Sequence, residues 1–436
     1  MLRPAAPSTR RLLHDPLAAL LLAAGACLIP PQHAARGDEA GLDNWPRLRG
    51  PAAAGAGGPR RFPRAWTDGD WAWTTALPGK GHASPVVWGG RIYTASADEE
   101  GGKRFVCCHA AADGRLLWQR EIPGPIEKHH AQNSSASGSV TVDEAGLYWL
   151  WATKDQLRVE AFTHDGAPRW HVDLGAFASE HGFGGSAAVW RDRLIVPIES
   201  DGPSAVVALD TKTGRELWRL PRTTARAAYS TPLVVDRPAA EGPPLVVLAS
   251  MAHGLTGIDP TDGRVLWERK CFPKRTVSSP VMAGPLVLCT CGEGGGDNTL
   301  VAVRPPAAAA GDSPTEPEIA FQLDRSAAPY VPTPVCSGPR LYLWGDRGVV
   351  TCVKADDGQV VWRGRVGGTF SSSPIVVGGT VLNVSADGEV TVLADGDAFE
   401  VLGRTPLGEE CRATPAVAGG KMFFRSLSRL SALAAE

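Results

Sequence analysis

No charge of one sign dominates this chain. Its 44 Lys and Arg are balanced by 46 Asp and Glu, for a formal charge of −2, and no long single-sign run appears. That balance excludes a bulk electrostatic pull toward nucleic acid or an anionic membrane, so no nucleic-acid partner is expected. Beyond the first 30 residues no apolar run is long enough to span a bilayer. The chain has no C-x-x-C-H, no paired zinc cysteines, no H-E-x-x-H, no phosphate loop and no nucleophile elbow. Covalent haem, hydrolase and nucleotide chemistry therefore have no support, no catalytic residue is assigned, and no metal site is expected.

Cysteine is present but not patterned. Cys107 and Cys108 are vicinal, Cys289 and Cys291 are one residue apart, and the others stand alone. Most lie inside apolar strand patterns and read as small buried hydrophobes. A Cys336–Cys352 link is possible only if their strands are neighbours. The first residues read as an export signal: Arg3, Arg10 and Arg11 precede an apolar stretch of about 15 residues from Pro16 to Pro30, with Ala24-Gly25-Ala26 before a possible cut. Cys27 follows, but Ala24 stands where a lipoprotein signal places Leu, so a lipid anchor has weak support. Residues 1–34 are expected to be a signal peptide and 35–65 a linker, with 66–436 one folded domain in the periplasm or cell envelope.

What the chain has in quantity is glycine (50), proline (36) and tryptophan (14). The tryptophans recur in one setting. Asp113-Gly114-Arg115-Leu116-Leu117-Trp118 is one copy; others end at Trp218, Trp267 and Trp362, and a looser one at Trp170. A second mark is Ser or Thr, then Pro, then apolar residues: Ser84-Pro85, Thr231-Pro232, Ser279-Pro280, Thr333-Pro334, Ser373-Pro374 and Thr414-Pro415. Degenerate copies begin at Ser137 and Ser186. The eight marks repeat at roughly 40–55 residues, the period of a propeller blade.

Each unit reads as four short strands joined by tight turns. Eight units predict an all-β, eight-bladed propeller of four-stranded antiparallel blades. The last unit supplies three strands, and an orphan strand around Asp70-Trp71-Ala72-Trp73-Thr74 precedes the first. That N-terminal strand is expected to complete the last blade and remove the open edge. Trp73, Trp118, Trp170, Trp218, Trp267 and Trp362 are expected to dock between blades, each contributing about 2–3 kcal/mol by burial.

Ala208-Leu209-Asp210-Thr211-Lys212-Thr213-Gly214-Arg215-Glu216-Leu217-Trp218 resembles the repeat of pyrroloquinoline quinone (PQQ) propellers. The opening Asn44-Trp45-Pro46-Arg47-Leu48-Arg49-Gly50-Pro51 is similar to that of exported bacterial proteins called PQQ-binding-like or BamB-like. The resemblance covers about residues 44–433 and implies two different functions on one scaffold. Quinoprotein dehydrogenases hold PQQ and Ca²⁺ at the propeller axis. BamB-like members are non-catalytic scaffolds in outer-membrane protein assembly.

The loops that lead into each inner strand converge on one face. They carry His129, Asn133, His181, Arg226, Tyr229, Arg275 and Arg412, the candidate binding residues. Dehydrogenase chemistry would need carboxylate and amide oxygens for Ca²⁺, for which Glu127 or Glu180 with Asn133 are the available set. No quinoprotein signature surrounds them. The vicinal Cys107-Cys108 sits in a strand pattern, as core. The expectation is an exported, non-catalytic scaffold with a protein or peptide partner and no cofactor. The alternatives are a PQQ/Ca²⁺-dependent alcohol or sugar dehydrogenase and a small-ligand or polysaccharide binder.

Overall fold

The computed structural model describes residues 43–436, except 224–225, 238–241, 295 and 307–313. The expected signal segment and Cys27 lie outside the described residues. Thirty-two strands form eight four-stranded antiparallel sheets. Blades 1 to 7 are continuous, at 86–123, 141–173, 188–222, 233–269, 281–323, 335–365 and 375–406. Blade 8 takes three strands from 416–434 and its outer strand from Trp71–Ala76. That strand pairs antiparallel with Arg429–Ala434, Trp73 facing Ala432 and Thr75 facing Leu430. The ring is thus closed by the N-terminal strand, as the sequence predicts. Among the described residues, no helix is long and apolar enough to cross a membrane.

Each strand's composition follows from its place in the blade. The second and third strands lie between neighbouring blades and are buried on both faces, as in Arg91–Asp98 and Lys103–Ala110. They therefore read as continuous apolar runs rather than alternating ones. The outer strand, such as Leu116–Pro123, is largely exposed. In blades 1 to 7 a register shift recurs between third and outer strands, one step from the aromatic residue in blades 1 to 6 and from Gly403 in blade 7. Such a bulge increases local twist and re-aims the side chain. The residue directly opposite the ring is small: Cys108 faces Trp118, Ala208 faces Trp218 and Cys352 faces Trp362. This accounts for two of the cysteines as small strand hydrophobes. Among the described residues all eight cysteines are free thiols, including Cys336 and Cys352. Burial pushes the Cys107 and Cys108 thiols up to about 12.

The tryptophans join blades. Trp73 Nε1 donates to Ala111 O at 3.2 Å, Trp118 to His164 O at 2.8 Å, and Trp170 to Thr211 O at 3.1 Å. Trp218 donates to Pro260 O at 3.0 Å and Trp362 to Gly396 O at 2.9 Å. Each acceptor belongs to the next blade. Under Trp73 lies Gly114, with φ 74° and no room for a Cβ, which would stand 2.5 Å from the indole. The turn therefore needs glycine for both backbone and contact reasons. Blade 5 carries Phe321 in this place, against Gly358. Trp267 meets the next blade differently. It is fully buried, against Gly257 of its own blade and in one apolar cluster with Val287, Cys289 and Val301 of blade 5, and its indole N–H has no hydrogen-bond partner among the described residues. Thr315, which precedes the outer strand of blade 5, pairs beside it.

The Ser/Thr-Pro marks prove to be a belt around the axis. Ser84 N donates to Ser139 Oγ at 3.0 Å, and Ser139 N to Ser186 Oγ at 2.9 Å. The pattern resumes from Thr231 N to Ser279 Oγ, Ser279 N to Thr333 Oγ1 and Thr333 N to Ser373 Oγ. Ser373 N then bonds Thr414 Oγ1, and Thr414 N bonds Ser84 Oγ at 2.9 Å, across the closing seam. Each hydroxyl satisfies a buried backbone N–H of the preceding blade, which would otherwise lack a partner.

The segment expected to be a linker packs on the ring. Trp45 pairs with Val87, Pro46 O accepts from Val142 N, and Gly57 N donates to Val376 O. Arg49, 1% exposed, donates from Nη1 to Thr333 O and Pro374 O, and from Nη2 to Pro334 O. A guanidinium has five N–H donors in a fixed fork, which suits a cage of carbonyls. Desolvation lowers its pKa to about 9, so it remains charged at neutral pH. Gly50 (φ 73°) lies flat under the Trp45 ring, where a Cβ would come within 2.6 Å. Residues 44–58 thus bind blades 1, 2, 6 and 7 together before the chain runs out to the closing strand.

Candidate functional site

The belt surrounds a cavity on the propeller axis of about 330 Å³. Seven of the eight belt residues line it, all but Thr231. A second tier stands two positions before each belt residue: His82, Ser137, Gly184, Tyr229, Val277, Val331, Ser371 and Arg412 all line the same cavity. The lead-in to each inner strand is extended, so residues two apart share a face. This tier is uneven. Ser371, Arg412, His82 and Ser137 make a polar, basic side over blades 7 to 2, and Val277 and Val331 an apolar one over blades 5 and 6. Leu48, from the N-terminal segment, also reaches the cavity.

A second cavity of about 690 Å³ adjoins it over blades 5 and 6, and the two share Gln132, Gly294, Tyr330, Val331, Ser371 and Arg412. Four arginines line this trough: Arg325, Arg347, Arg363 and Arg412. Its carboxylates are engaged elsewhere. Glu293 takes Lys274 Nζ at 2.6 Å, and Asp346 takes the N–H groups of Tyr330 and Val331 at 2.7 and 2.9 Å.

The sequence-derived candidates separate in the structure. Asn133, His181, Tyr229 and Arg412 line the axial cavity. Asn133 Nδ2 donates to His181 O at 2.8 Å and Phe183 O at 3.2 Å, tying two loops together. The His130 and His181 rings lie 4.9 Å apart. Tyr229 Oη is 2.6 Å from Ser179 Oγ, and the Arg275 guanidinium lies 5.9 Å over the Tyr229 ring. Arg275 and Arg226 both approach Glu180, at 3.6 and 2.7 Å, and neither lines the cavity. His129 turns away, its Nε2 2.7 Å from Glu99 Oε1, beside a separate pocket of about 60 Å³. Sequence reasoning did not single out His82, the hydroxyl belt or the trough arginines as binding residues. The signal that finds His82 is its place two residues before a belt serine.

The field in the funnel is positive. Desolvation, then Arg425, Arg412 and His129, drive the His82 pKa down to about 3. His82 is therefore neutral, and its buried Nδ1 has no hydrogen-bond partner among the described residues. Desolvation and then Arg275 also lower the His181 pKa. Arg425, buried behind the belt, donates to Ala83 O at 3.1 Å and Ser96 Oγ at 3.2 Å.

A Ca²⁺–quinone cradle does not fit this lining. Ca²⁺ takes about six to eight oxygen ligands, carboxylates prominent among them. No Asp or Glu lines the axial cavity. Glu127 accepts Lys154 N and Glu180 binds Arg226, both outside that lining. Among the described residues no group of three or more His, Cys, Asp or Glu is placed to hold a metal.

Solved structures share the fold. BamB from Moraxella catarrhalis superposes with a TM-score of 0.60 at 16% identity, over 82% of this chain and 97% of that one. Quinohemoprotein alcohol dehydrogenase ADHIIG from Pseudomonas putida HK5 gives 0.59 at 15%, over 89% and 80%. The designed protein Ika8 gives 0.55 at 12%, over 84% and 99%. At such identities the likeness concerns the scaffold, which hosts unrelated functions. No curated protein matches the sequence. The family model described as outer membrane protein assembly factor BamB matches residues 64–149, 154–307 and 309–400. With most of the ring so matched, the chain belongs to this BamB family of PQQ-repeat propellers.

Proposed function

We propose that this chain is an exported, non-catalytic propeller that holds a protein or peptide partner of the cell envelope at its funnel face. One observation carries the reading: a recessed, hydroxyl-lined axis that Tyr229 also lines opens past Tyr330 and Arg412 into an arginine-lined trough. Tyrosine and arginine are the residue types that anchor protein interfaces, and recessed positions favour them because water is excluded there. The BamB family supports a place in outer-membrane protein assembly, in the periplasm.

Photocross-linking in cells tests this. A cross-linker at Tyr330 is expected to capture one defined envelope protein, and the same probe at Arg115, on an outer turn, none. Stoichiometric binding of PQQ with Ca²⁺ by calorimetry, together with dye-linked oxidation of an alcohol or sugar, would overturn the reading in favour of a dehydrogenase.

A further inference from the structure

We infer that the funnel receives the C-terminal end of an acidic peptide, its terminal carboxylate held at the axis by Arg412 and the hydroxyl belt. This rests on the scaffold reading and names the chemistry of the partner.

The belt supplies the first part of the argument. A serine or threonine hydroxyl has one proton and two lone pairs. In each belt residue on the cavity wall, the oxygen already accepts a backbone N–H at 2.9–3.0 Å. Its own proton has no protein acceptor among the described residues, and the side chain lines the cavity. The axis is therefore a ring of donors in search of an acceptor. Arg412 adds a cation at the rim, within 3.5 Å of Ser371 Oγ and with no carboxylate at ion-pair distance among the described residues. His82 is held neutral and can donate or accept one hydrogen bond. No anion of the protein itself enters this space. Donors and positive charge without a resident carboxylate fit a carboxylate brought by the ligand.

The asymmetry of the second tier supplies the second part. Over blades 5 and 6, away from His82, the wall is Val277 and Val331. A chain terminus has this pair of demands: a carboxylate, and a last side chain that seeks apolar contact. The trough supplies the third. Arg325, Arg347 and Arg363 continue outward from Arg412, and none of them is ion-paired among the described residues. Asp324 lies nearby but receives Ser326 N at 2.9 Å. The path leading away from the axis is thus complementary to acidic residues upstream of the terminus.

The test uses N-terminally labelled decapeptides of alternating Asp and Leu ending in Leu, read by fluorescence polarisation. The free acid is expected to bind at least tenfold more tightly than its C-terminal amide. Arg412→Gln should weaken the acid at least tenfold and erase the difference between acid and amide. The double variant Arg347→Gln/Arg363→Gln should weaken both forms and flatten the salt dependence, yet keep that difference. Thermal melts confirm that these exposed or rim substitutions leave the fold intact. Equal binding of acid and amide, equal binding of a Lys/Leu peptide, or tighter binding of an anionic oligosaccharide overturns the inference. A partner cross-linked at Tyr330 whose affinity ignores Arg412 would overturn it too, while leaving the scaffold reading in place.

Discussion

Two seams of the ring invite comparison. Between blades 8 and 1 the chain is discontinuous, because blade 8 borrows its outer strand from Trp71–Ala76. Even so, the joint is regular: Trp73 donates to Ala111 O, its indole covers Gly114, and Thr414 N bonds Ser84 Oγ. Between blades 4 and 5 the chain is continuous, yet Trp267 meets blade 5 through Thr315 and apolar packing rather than on a glycine turn, and among the described residues its indole N–H finds no acceptor. Regular docking therefore depends on the turn chemistry of the receiving blade and not on chain continuity. A glycine in the left-handed region lets an indole lie on the turn; beside Trp267 the pairing with Thr315 stands instead.

Three experiments bear on this contrast. The largest effect is expected from deleting residues 1–76, which removes both the N-terminal segment and the closing strand. Cooperative thermal unfolding, followed by near-UV circular dichroism, should be lost; a variant melting near the intact protein would show that the seam does not hold the ring. Next is Trp73→Ala, expected to cost about 2–3 kcal/mol in urea unfolding, since the indole is only partly buried. Gly114→Ala should cost about 1–3 kcal/mol, through strain and overpacking. Because the indole is what the new methyl group would strike, the double variant should cost less than the sum. Full additivity would mean that the two residues do not meet.

The smallest effect at neutral pH concerns His82, which sits at the 8/1 seam near Arg425 and Arg412. Its pKa is depressed to about 3 in the folded protein, from 6.5. Between these values the unfolded chain binds more protons, so stability is complete above pH 6.5 and falls as pH drops toward 3. His82→Gln should lessen the loss of urea midpoint between pH 7.5 and 4.5 while changing little at pH 7.5. His109, depressed to about 4 by burial, leaves a residual slope in that variant.

What was legible in the sequence was what repeats locally. The Asp-Gly turn and its tryptophan lie within six residues, and Ser-Pro marks the start of each inner strand, so blade number and closure followed. The same marks contained more than their spacing: the serine hydroxyls at positions such as Ser84 and Ser139 form a belt whose partners lie 55 and 47 residues away. Contacts of that range leave no local signature. The two histidines show the same limit. His181 reaches the cavity, whereas His129 is drawn off by Glu99, 30 residues earlier in the chain. Trp267 matched its motif fully, yet it packs on blade 5 without the indole hydrogen bond the other copies make, a difference set by the neighbouring blade.

Arg49 also sets an order of events. Its carbonyl partners at Thr333 and Pro374 come 284 and 325 residues later in the chain. Trp71–Ala76 waits still longer for Arg429–Ala434, Thr74 and Ser431 being 357 residues apart. During synthesis, then, Trp45 and Pro46 find partners once blades 1 and 2 exist, whereas Arg49 and the closing strand wait for the late blades. Contacts of such sequence separation close slowly, since the loop entropy must be overcome before they form. The seven self-contained blades are free to assemble first, leaving the N-terminal arm to lock the finished ring.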